Sequence, residues 1–597
     1  MDSKNGSDAS SDTLAETPTS TLQREAPAKP ERIDSKDASF KAPNTTIGDA
    51  APIVPSVKDG DALEQDPEIA NVKIEDVPAL QSADHVNVPL SRAKFVAVFI
   101  ALIMALFLSA LDQTIVATAI VRISTDFDAF GQAPWISTAY MLTTTAFAPA
   151  YGKMADIFGR KPMFLFAVAV FEIGSLWCGV AQGMAFLIIG RAIAGVGAAG
   201  VVSMILIIVA DIVSFRDRGK YQGIFGAVFG IASVIGPLLG GVFADGSGVL
   251  SWRWCFFINL PIGVVTLVVI FFVLHIPSPT GAFLAKCKRV DWFGITSLVT
   301  GIILLLLPVQ MGGEEWEWSS APVIITFILA FLVLGAFVYS QFKFAKEPII
   351  PPAVFENRSV PAIVLLAFCL GSAMFSLIFY LSIYFQVVDG DTATQAGLKT
   401  IPLILSLSLM SLVGGQLMSR LGVYVPFFYI GGVILTVGCA MISTLNANSN
   451  NGQRIGYLII AGTGVGAMIQ GRIIGIQASV QPQRIAIATA LVNFAQTLGG
   501  ALGLGIVAAV YNNVVQSKLA TYAPGVPYKE VQKNVQRIGE VYPADVAANI
   551  KQALTESLSV AFAVSAGFAG LIVVFAVFIK QYRRPPGAKA APAAFAE

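Results

Sequence analysis

The chain has 597 residues, of which 55% are hydrophobic and only 13% charged; a soluble domain carries roughly a quarter charged residues, so an ordinary soluble fold is excluded. The formal net charge is +1, and no nucleic-acid partner is expected. The two histidines, His85 and His275, give metal binding or His-based catalysis almost no material, and no G-x-x-x-x-G-K-[ST] phosphate loop occurs.

Residues 1–90 hold 17 acidic and 8 basic side chains, with almost no aromatics and no sustained periodicity. Such a segment cannot bury enough apolar surface to offset its ordering entropy, so 1–91 is expected to be a disordered acidic cytosolic tail. No signal peptide is expected, since the first long apolar run starts near Phe95.

A helix needs about 20 apolar residues to cross a bilayer. Fourteen runs qualify: 95–117, 135–152, 163–181, 186–210, 222–244, 256–276, 292–311, 322–341, 360–385, 397–418, 426–445, 455–478, 486–511 and 558–579. They are continuous and too long for barrel strands. The chain reads as an all-α, polytopic membrane protein.

Arginine and lysine gather in alternate short loops, at Lys153, Arg160, Lys161, Arg216, Arg218, Lys220, Lys286, Lys288, Arg289, Lys343 and Lys346. The opposite loops include the acidic "EEWEW" (Glu314–Trp318). The positive-inside rule puts the basic side, and with an even span count both termini, in the cytosol. The sequons at Asn5, Asn44 and Asn357 fall on that side, so no N-linked glycan is expected. Cys178 and Cys255 lie near one another in depth and could pair, but unpaired cysteines are the plainer reading.

Three charges sit in apolar runs. Asp112, in "SALDQTIVATAI", is the only charge between Phe95 and Val121. Arg191 lies in the fourth run, at a depth similar to that of Asp112, so an ion pair is feasible. Either residue could instead reach the interface. Glu172 has nine residues of apolar sequence on each side and must face protein or water; it is either a structural glutamate or a transport residue. "GVGAAG" (Gly195–Gly200) matches a dinucleotide fingerprint only in letters, because it lies inside the fourth run, where small residues let helices approach. Arg472, near the inner end of the twelfth run, is expected to reach toward the cytosol along a lipid-facing surface.

"GQLMSRLG" (Gly415–Gly422) repeats the glycine spacing of "GKMADIFG" (Gly152–Gly159), with Ser419 where the first copy has Asp156. "GVGA" also recurs at Gly464–Ala467. Parallel repeats of this kind mark transporters and imply two six-helix bundles with spans seven and eight inserted between them. The expected organisation is 92–277 for the first bundle, 278–358 for a linker with the two inserted helices, 359–580 for the second bundle with an extracellular loop near 512–557, and 581–597 for a cytosolic tail.

On residues alone, "GKMADIFGRKP" (Gly152–Pro162) is either a basic anchoring loop or a turn with an ion-pair latch. It resembles motif A of the major facilitator superfamily at every defining position. "LIIGRAIAGVGAA" (Leu187–Ala199) resembles motif B with Arg191 in place and Ala194 where glutamine is usual. "GIASVIGPLLGG" (Gly230–Gly241) resembles the antiporter motif C, with Gly230, Gly236, Pro237, Gly240 and Gly241. "WRWCFFINLPIG" (Trp252–Gly263) and "LDQTIVATAI" resemble segments of the 14-spanner drug:proton antiporters; Ala119-Ile120-Val121-Arg122 departs from that family's motif D.

The resemblance covers 92–580 and implies the major facilitator fold. It implies that Gly152, Asp156, Gly159, Arg160 and Lys161 latch the two halves. It also implies that Asp112 and Arg191, with Glu172 as a further candidate, couple transport to protons. With spans one, four, nine and twelve lining the cavity, Phe375, Phe379, Tyr380 and Gln470 are candidate substrate contacts; each aromatic could equally pack on neighbouring helices or lipid. The expected function is proton-coupled efflux of small amphipathic molecules (drug, toxin or secondary metabolite) from the cytosol. No cofactor beyond the proton gradient is expected, nor a metal or enzyme activity. The partners are the substrate, protons and the lipid bilayer, and nothing requires more than a monomer. The plasma membrane is the expected location, the vacuolar membrane the alternative. A proton-driven importer or vacuolar exchanger on the same scaffold stays open, as, with less in its favour, does a membrane enzyme or a transport-dead receptor.

Overall fold

The computed structural model describes residues 91–129, 132–245, 251–312, 316–391, 393–446, 448–533 and 538–582. The acidic tail expected over 1–91 lies, Ser91 apart, outside them. Fourteen long helices carry the fold: α1 Arg92–Asp126, α2 Ala133–Phe158, α3 Arg160–Gly179, α4 Met184–Ile212, α5 Arg218–Asp245, α6 Asn259–Val273 (after a short helix Trp254–Phe257), α7 Trp292–Met311, α8 Ala321–Lys343, α9 Ser359–Val388, α10 Ile401–Leu421, α11 Val425–Ser443, α12 Asn451–Ala478, α13 Ile485–Tyr522 and α14 Ala544–Ala576.

Local chemistry sets several of their ends. The Asp291 carboxylate accepts from Gly294 N at 2.8 Å and caps α7. Asn450 and Gln453 form a reciprocal capping box at the start of α12. Gly422 ends α10 at φ +68°, a left-handed conformation that glycine adopts without a Cβ clash.

Among the described residues, thirteen helices are long and apolar enough to cross a membrane, and α2 is the long helix that falls short. Its middle carries Thr143, Thr144 and Thr145. The shortfall is tolerated because α4, α13 and α7 pack around α2, so protein rather than lipid meets its polar face.

The packing repeats in the two halves. In the first, α1 packs on α5 and α6, while α4 packs on α2 and α3; in the second, α9 packs on α13 and α14, while α12 packs on α10 and α11. The inserted α7 pairs with α8 and reaches both α2 and α13, so it lies along the seam between the halves. One apolar cluster fills the second half. Another gathers the lower parts of α1 to α4 and also takes in Ile473, Ala486, Leu491 and Phe494 from the second half.

Several boundaries differ from those read in the sequence. α1 continues past 117 to Asp126, held by an Arg122–Asp126 pair at 3.1 Å and by Trp252 Nε1 donating to Asp126 at 2.8 Å. α13 and α14 run beyond 511 and before 558, zipped by Lys518–Glu556 at 2.5 Å and by Tyr522 OH donating to Glu556 at 3.0 Å. Within the expected C-terminal tail, Gln581 Oε1 accepts from Tyr424 N at 3.0 Å and Val425 N at 2.9 Å, which docks the chain on α11. The amide of Asn357 donates to Tyr582 OH at 2.7 Å and Ser479 O at 2.8 Å. All five cysteines are free, including Cys178 and Cys255.

Candidate functional site

Because α1 is 35 residues long, Asp112 sits mid-helix. Its side chain is fully buried, and its Oδ2 lies 2.6 Å from Arg191 Nη1, itself 2% exposed. Arg191 Nε donates to Ile136 O at 3.0 Å. The guanidinium lies over the ring of Tyr140 at 4.3 Å and of Phe256 at 5.8 Å. The second carboxylate oxygen of Asp112 accepts from Asn259 Nδ2 at 3.2 Å, and the same amide donates to Ser175 Oγ at 3.2 Å. Helices α1, α2, α3, α4 and α6 thus meet at one ion pair. Their approach depends on small residues: a Cβ on Gly174 would strike Ala194, and one on Gly195 would strike Thr143 and the carbonyl of Tyr140.

Glu172 lies one turn from Ser175 on α3, toward the end where the basic loops gather, called here the basic end. It is 8% exposed, neither carboxyl oxygen has a hydrogen-bond partner among the described residues, and its head packs where Gly263 of α6 leaves room. The first half therefore holds two buried carboxyls, one with a cation and one without.

At the basic end, Arg160 binds Asp156 at 2.8 Å, Asp211 of α4 at 3.0 Å and Ala155 O at 3.0 Å. Lys161 Nζ donates to Phe271 O at 2.6 Å. Gly159 turns the chain between α2 and α3 at φ +103°. All of these partners belong to the first half. The contacts that cross between halves are others. Gly152 packs on α13, where a Cβ would stand 2.8 Å from Ala490 Cβ and 3.1 Å from Ala486 O. Lys153 pairs with Glu347 of the linker at 3.0 Å, and Glu347 also holds Arg289 at 2.6 Å. The Arg289 guanidinium, first by its hydrogen bonds, and Lys153 hold the Glu347 carboxyl below its usual range.

The pseudo-symmetric seam is built the same way. Gly219 and Gly223 of α5 pack on Gly415 and Leu412 of α10, and Lys220 N donates to Ser419 Oγ at 2.9 Å. Arg218 Nη1 donates to Gln477 Oε1 of α12 at 3.1 Å. Ser419, where the first copy of the repeat has Asp156, thus keeps a hydrogen-bonding role without charge.

In the glycine–proline segment of α5, Gly236 and Gly240 seat Thr114, Ile115 and Thr118 of α1, and Gly230 seats Ser408 of α10. Thr118 Oγ1 donates to Pro237 O at 3.4 Å. Gly241 meets nothing within 4 Å and lies off that face. Among the candidate substrate contacts, Phe379 is 49% exposed and its ring adjoins Tyr380 at 5.3 Å. Tyr380 is buried and adjoins Tyr511 at 5.2 Å, while Phe375 packs on Gly500 of α13. Gln470 is apart from these, its Nε2 donating to Ser411 Oγ at 2.8 Å and its Oε1 unpartnered.

Sequence reading missed Asn259, Ser175, Asp211 and Glu347. Asn259 had a signal, since an asparagine in "FFINLPIG" is a buried amide that needs partners; Asp211 and Glu347 had none. Arg472 is not on a lipid-facing surface. It is 4% exposed inside the second half, with Nε and Nη1 unpartnered among the described residues, because it shares a helix face with Met468 and Ile476, which belong to that half's core.

Three comparisons bear on this arrangement. The profile of the Major Facilitator Superfamily matches residues 102–504. The chain is 35% identical over 506 residues to the MFS-type efflux pump MFS1 of Arthroderma benhamiae, covering 84% of this chain and 94% of that protein. It is 36% identical over 460 residues to the rubrofusarin-specific efflux pump aurT of Gibberella zeae, covering 76% and 84%. With the efflux pump aflT of Aspergillus parasiticus it shares 37% identity over 447 residues, covering 74% and 85%. Among solved structures, the fold is similar to the proton:xylose symporter XylE, with a TM-score of 0.55 at 12% identity, over 83% of this chain and 97% of that one. It is also similar to the human organic anion transporter MFSD10, with a TM-score of 0.54 at 15% identity, over 80% and 99%.

Proposed function

The chain belongs to the Major Facilitator Superfamily of membrane transporters, and from that premise we propose that it exports small amphipathic molecules from the cytosol in exchange for protons. The observation that carries this reading is the buried Asp112–Arg191 pair at 2.6 Å. A carboxylate removed from water is costly, and its charge can be neutralised either by a cation or by a proton. Protonation of Asp112 frees Arg191 from its partner; deprotonation restores the pair. That is a two-state element of the kind an exchange cycle needs.

Export, rather than import, is supported by the names of relatives, which are efflux pumps, one of them specific for rubrofusarin. In this reading the basic end is cytosolic, both termini face the cytosol, and the halves meet there through Gly152, Gly219 and Arg218, with Lys153 tying the first half to the linker. The exposed ring of Phe379 and the half-satisfied amide of Gln470 suit an apolar molecule carrying a few polar groups. The proton gradient is the energy source and no bound cofactor is required. A single chain in the plasma membrane suffices.

The test is the intracellular accumulation of a panel of fluorescent and toxic compounds in efflux-deficient cells. The full chain should lower accumulation of at least one compound, and a protonophore should abolish the effect. Export of that compound undiminished by the protonophore would remove proton coupling from the reading.

A further inference from the structure

Two features of the first half lie beside the Asp112–Arg191 pair and outside the exchange just described. Asn259 is fully buried and spends its amide on both Asp112 and Ser175. Glu172 is buried with no cation, donor or acceptor at either oxygen among the described residues.

These features are consecutive along one helix contact. Asn259 and Gly263 are one turn apart on α6, and Ser175 and Glu172 are one turn apart on α3. The Asn259–Ser175 contact is followed, toward the cytosolic end, by the Glu172–Gly263 contact. Gly263 is what makes the second contact fit, because any Cβ there would collide with the Glu172 carboxyl. Asp112, Asn259 and Ser175 are thus joined by hydrogen bonds, and Glu172 lies one turn of α3 beyond Ser175, toward the cytosolic end, with no hydrogen bond to them.

We propose that Glu172 is a second proton site, on the cytosolic side of Asp112, and that Asn259 is the positioning residue that holds the two carboxyls in register. This rests on the proton-coupled reading above. The transfer is one proton from the Asp112 carboxyl to the Glu172 carboxylate. Asp112 becomes a carboxylate and takes up Arg191; Glu172 becomes a neutral acid. Charge and protons balance, with no other reactant. The arrangement described is the end state of that step. Asp112 is paired with a cation, and Glu172 has none to satisfy a charge, which suits a neutral carboxyl in an apolar contact.

Other groups do not supply this role. Within electrostatic reach of Asp112 are Arg191 of α4, Tyr140 of α2, Glu172 and Cys178 of α3, and Cys255 of the short helix before α6. The charge that acts on Glu172 is that of Asp112. Tyr140 has its hydroxyl toward Ser109 O and its ring under Arg191. Of the groups in reach, Glu172 alone is a second carboxyl.

The experiment uses the purified full chain in lipid vesicles. Infrared difference spectra across a pH jump, taken without substrate, read protonated carboxyls directly. Beside any band from Asp112, wild type should show a neutral-carboxyl band that titrates and survives Asp112→Asn; Glu172→Gln should remove that band, and Asn259→Ala should shift the pH at which it titrates. In parallel, rhodamine 6G transport is driven by an imposed pH gradient. Glu172→Gln should lose roughly a hundredfold or more of the gradient-driven rate, the scale of a removed proton-transfer group, with dye–dye exchange at equal pH unchanged. Persistence of the band in Glu172→Gln, or gradient-driven transport at the wild-type rate, would overturn the proposal. Should Glu172→Gln not fold, Asn259→Ala decides: an unshifted band and an unchanged pH profile overturn it. Failure of Asp112→Asn to affect gradient-driven transport would instead overturn the proton-coupled reading, and the infrared band would still report on Glu172.

Discussion

Replacing Arg191 by methionine tests the buried pair by energy rather than by transport. The guanidinium makes four contacts: Asp112 at 2.6 Å, Ile136 O at 3.0 Å, and the rings of Tyr140 at 4.3 Å and Phe256 at 5.8 Å. Methionine fills a similar volume, so the cavity cost is small and the electrostatic loss dominates. Removing one partner of a buried ion pair costs about 3–5 kcal/mol, because the other charge is left without compensation. Asp112→Asn in the same background removes that stranded charge, and the double variant should then lose only the bond to Ile136 O and the ring contacts, about 1–2 kcal/mol. Adding Asp112→Asn to Arg191→Met should therefore recover about 2–3 kcal/mol, and because Asp112→Asn alone strands the guanidinium and also destabilises, the coupling energy of the cycle is larger than that recovery. It is measured by unfolding the four proteins in mixed micelles with increasing anionic detergent. Additive single effects would refute the reasoning, for they would mean that the carboxylate and the guanidinium do not depend on each other. Arg191→Lys should recover only part, since one ammonium cannot reach both Asp112 and Ile136 O in the geometry of the fork.

Three further outcomes are expected. Gly152→Val places a side chain 2.8 Å from Ala490 Cβ, an overpacking worth about 1–3 kcal/mol. It should prise α2 from α13 and raise labelling of a cysteine introduced at the basic end, and unchanged labelling would count against that seam as the closing contact. Glu347→Gln removes the partner of Lys153 and Arg289, all partly exposed, so the loss should be only about 0.5–1 kcal/mol after screening by solvent. Because the Glu347 carboxyl is held below its ordinary value, the difference between wild type and variant should be full above the ordinary carboxylate range and fade as pH falls through the lower folded value; a difference that grows on acidification would contradict this. Gln341→Ala leaves the N–H groups of Ile349 and Ile350 without the acceptor they have at 2.7 and 3.3 Å, a cost of about 1–3 kcal/mol. Faster amide exchange confined to the segment after α8 is the expected readout.

Much of this was legible in the residues. Continuous apolar runs mark helices because a bilayer demands a fixed length, and the glycine repeats disclose the two halves. The depth argument for Asp112 and Arg191 worked because a helix has a fixed rise, so sequence distance converts to depth. It could not see that α1 continues to Asp126, which is what moves Asp112 from a possible interfacial place to mid-helix. The hydropathy of α2 misleads in the other direction, since its threonines are shielded by α4, α13 and α7. Partners from distant elements were out of reach: nothing in "GKMADIFGRKP" points to Asp211 or Glu347, because side-chain pairing across helices depends on which faces meet. For the same reason Arg472 was read as facing lipid when its helix face belongs to the second-half core. Gly241 follows Gly240 in sequence but stands about 100° round the helix, and so leaves the α1 contact.

The central claim is that Asp112 exchanges a proton for substrate. Its most direct measurement is rhodamine 6G movement against its gradient in vesicles holding the purified chain, with an imposed pH difference, for wild type and Asp112→Asn. The account predicts uphill movement by wild type that collapses when the pH difference is dissipated and is absent in Asp112→Asn, while both proteins bind the dye. Uphill movement by Asp112→Asn equal to wild type would contradict it.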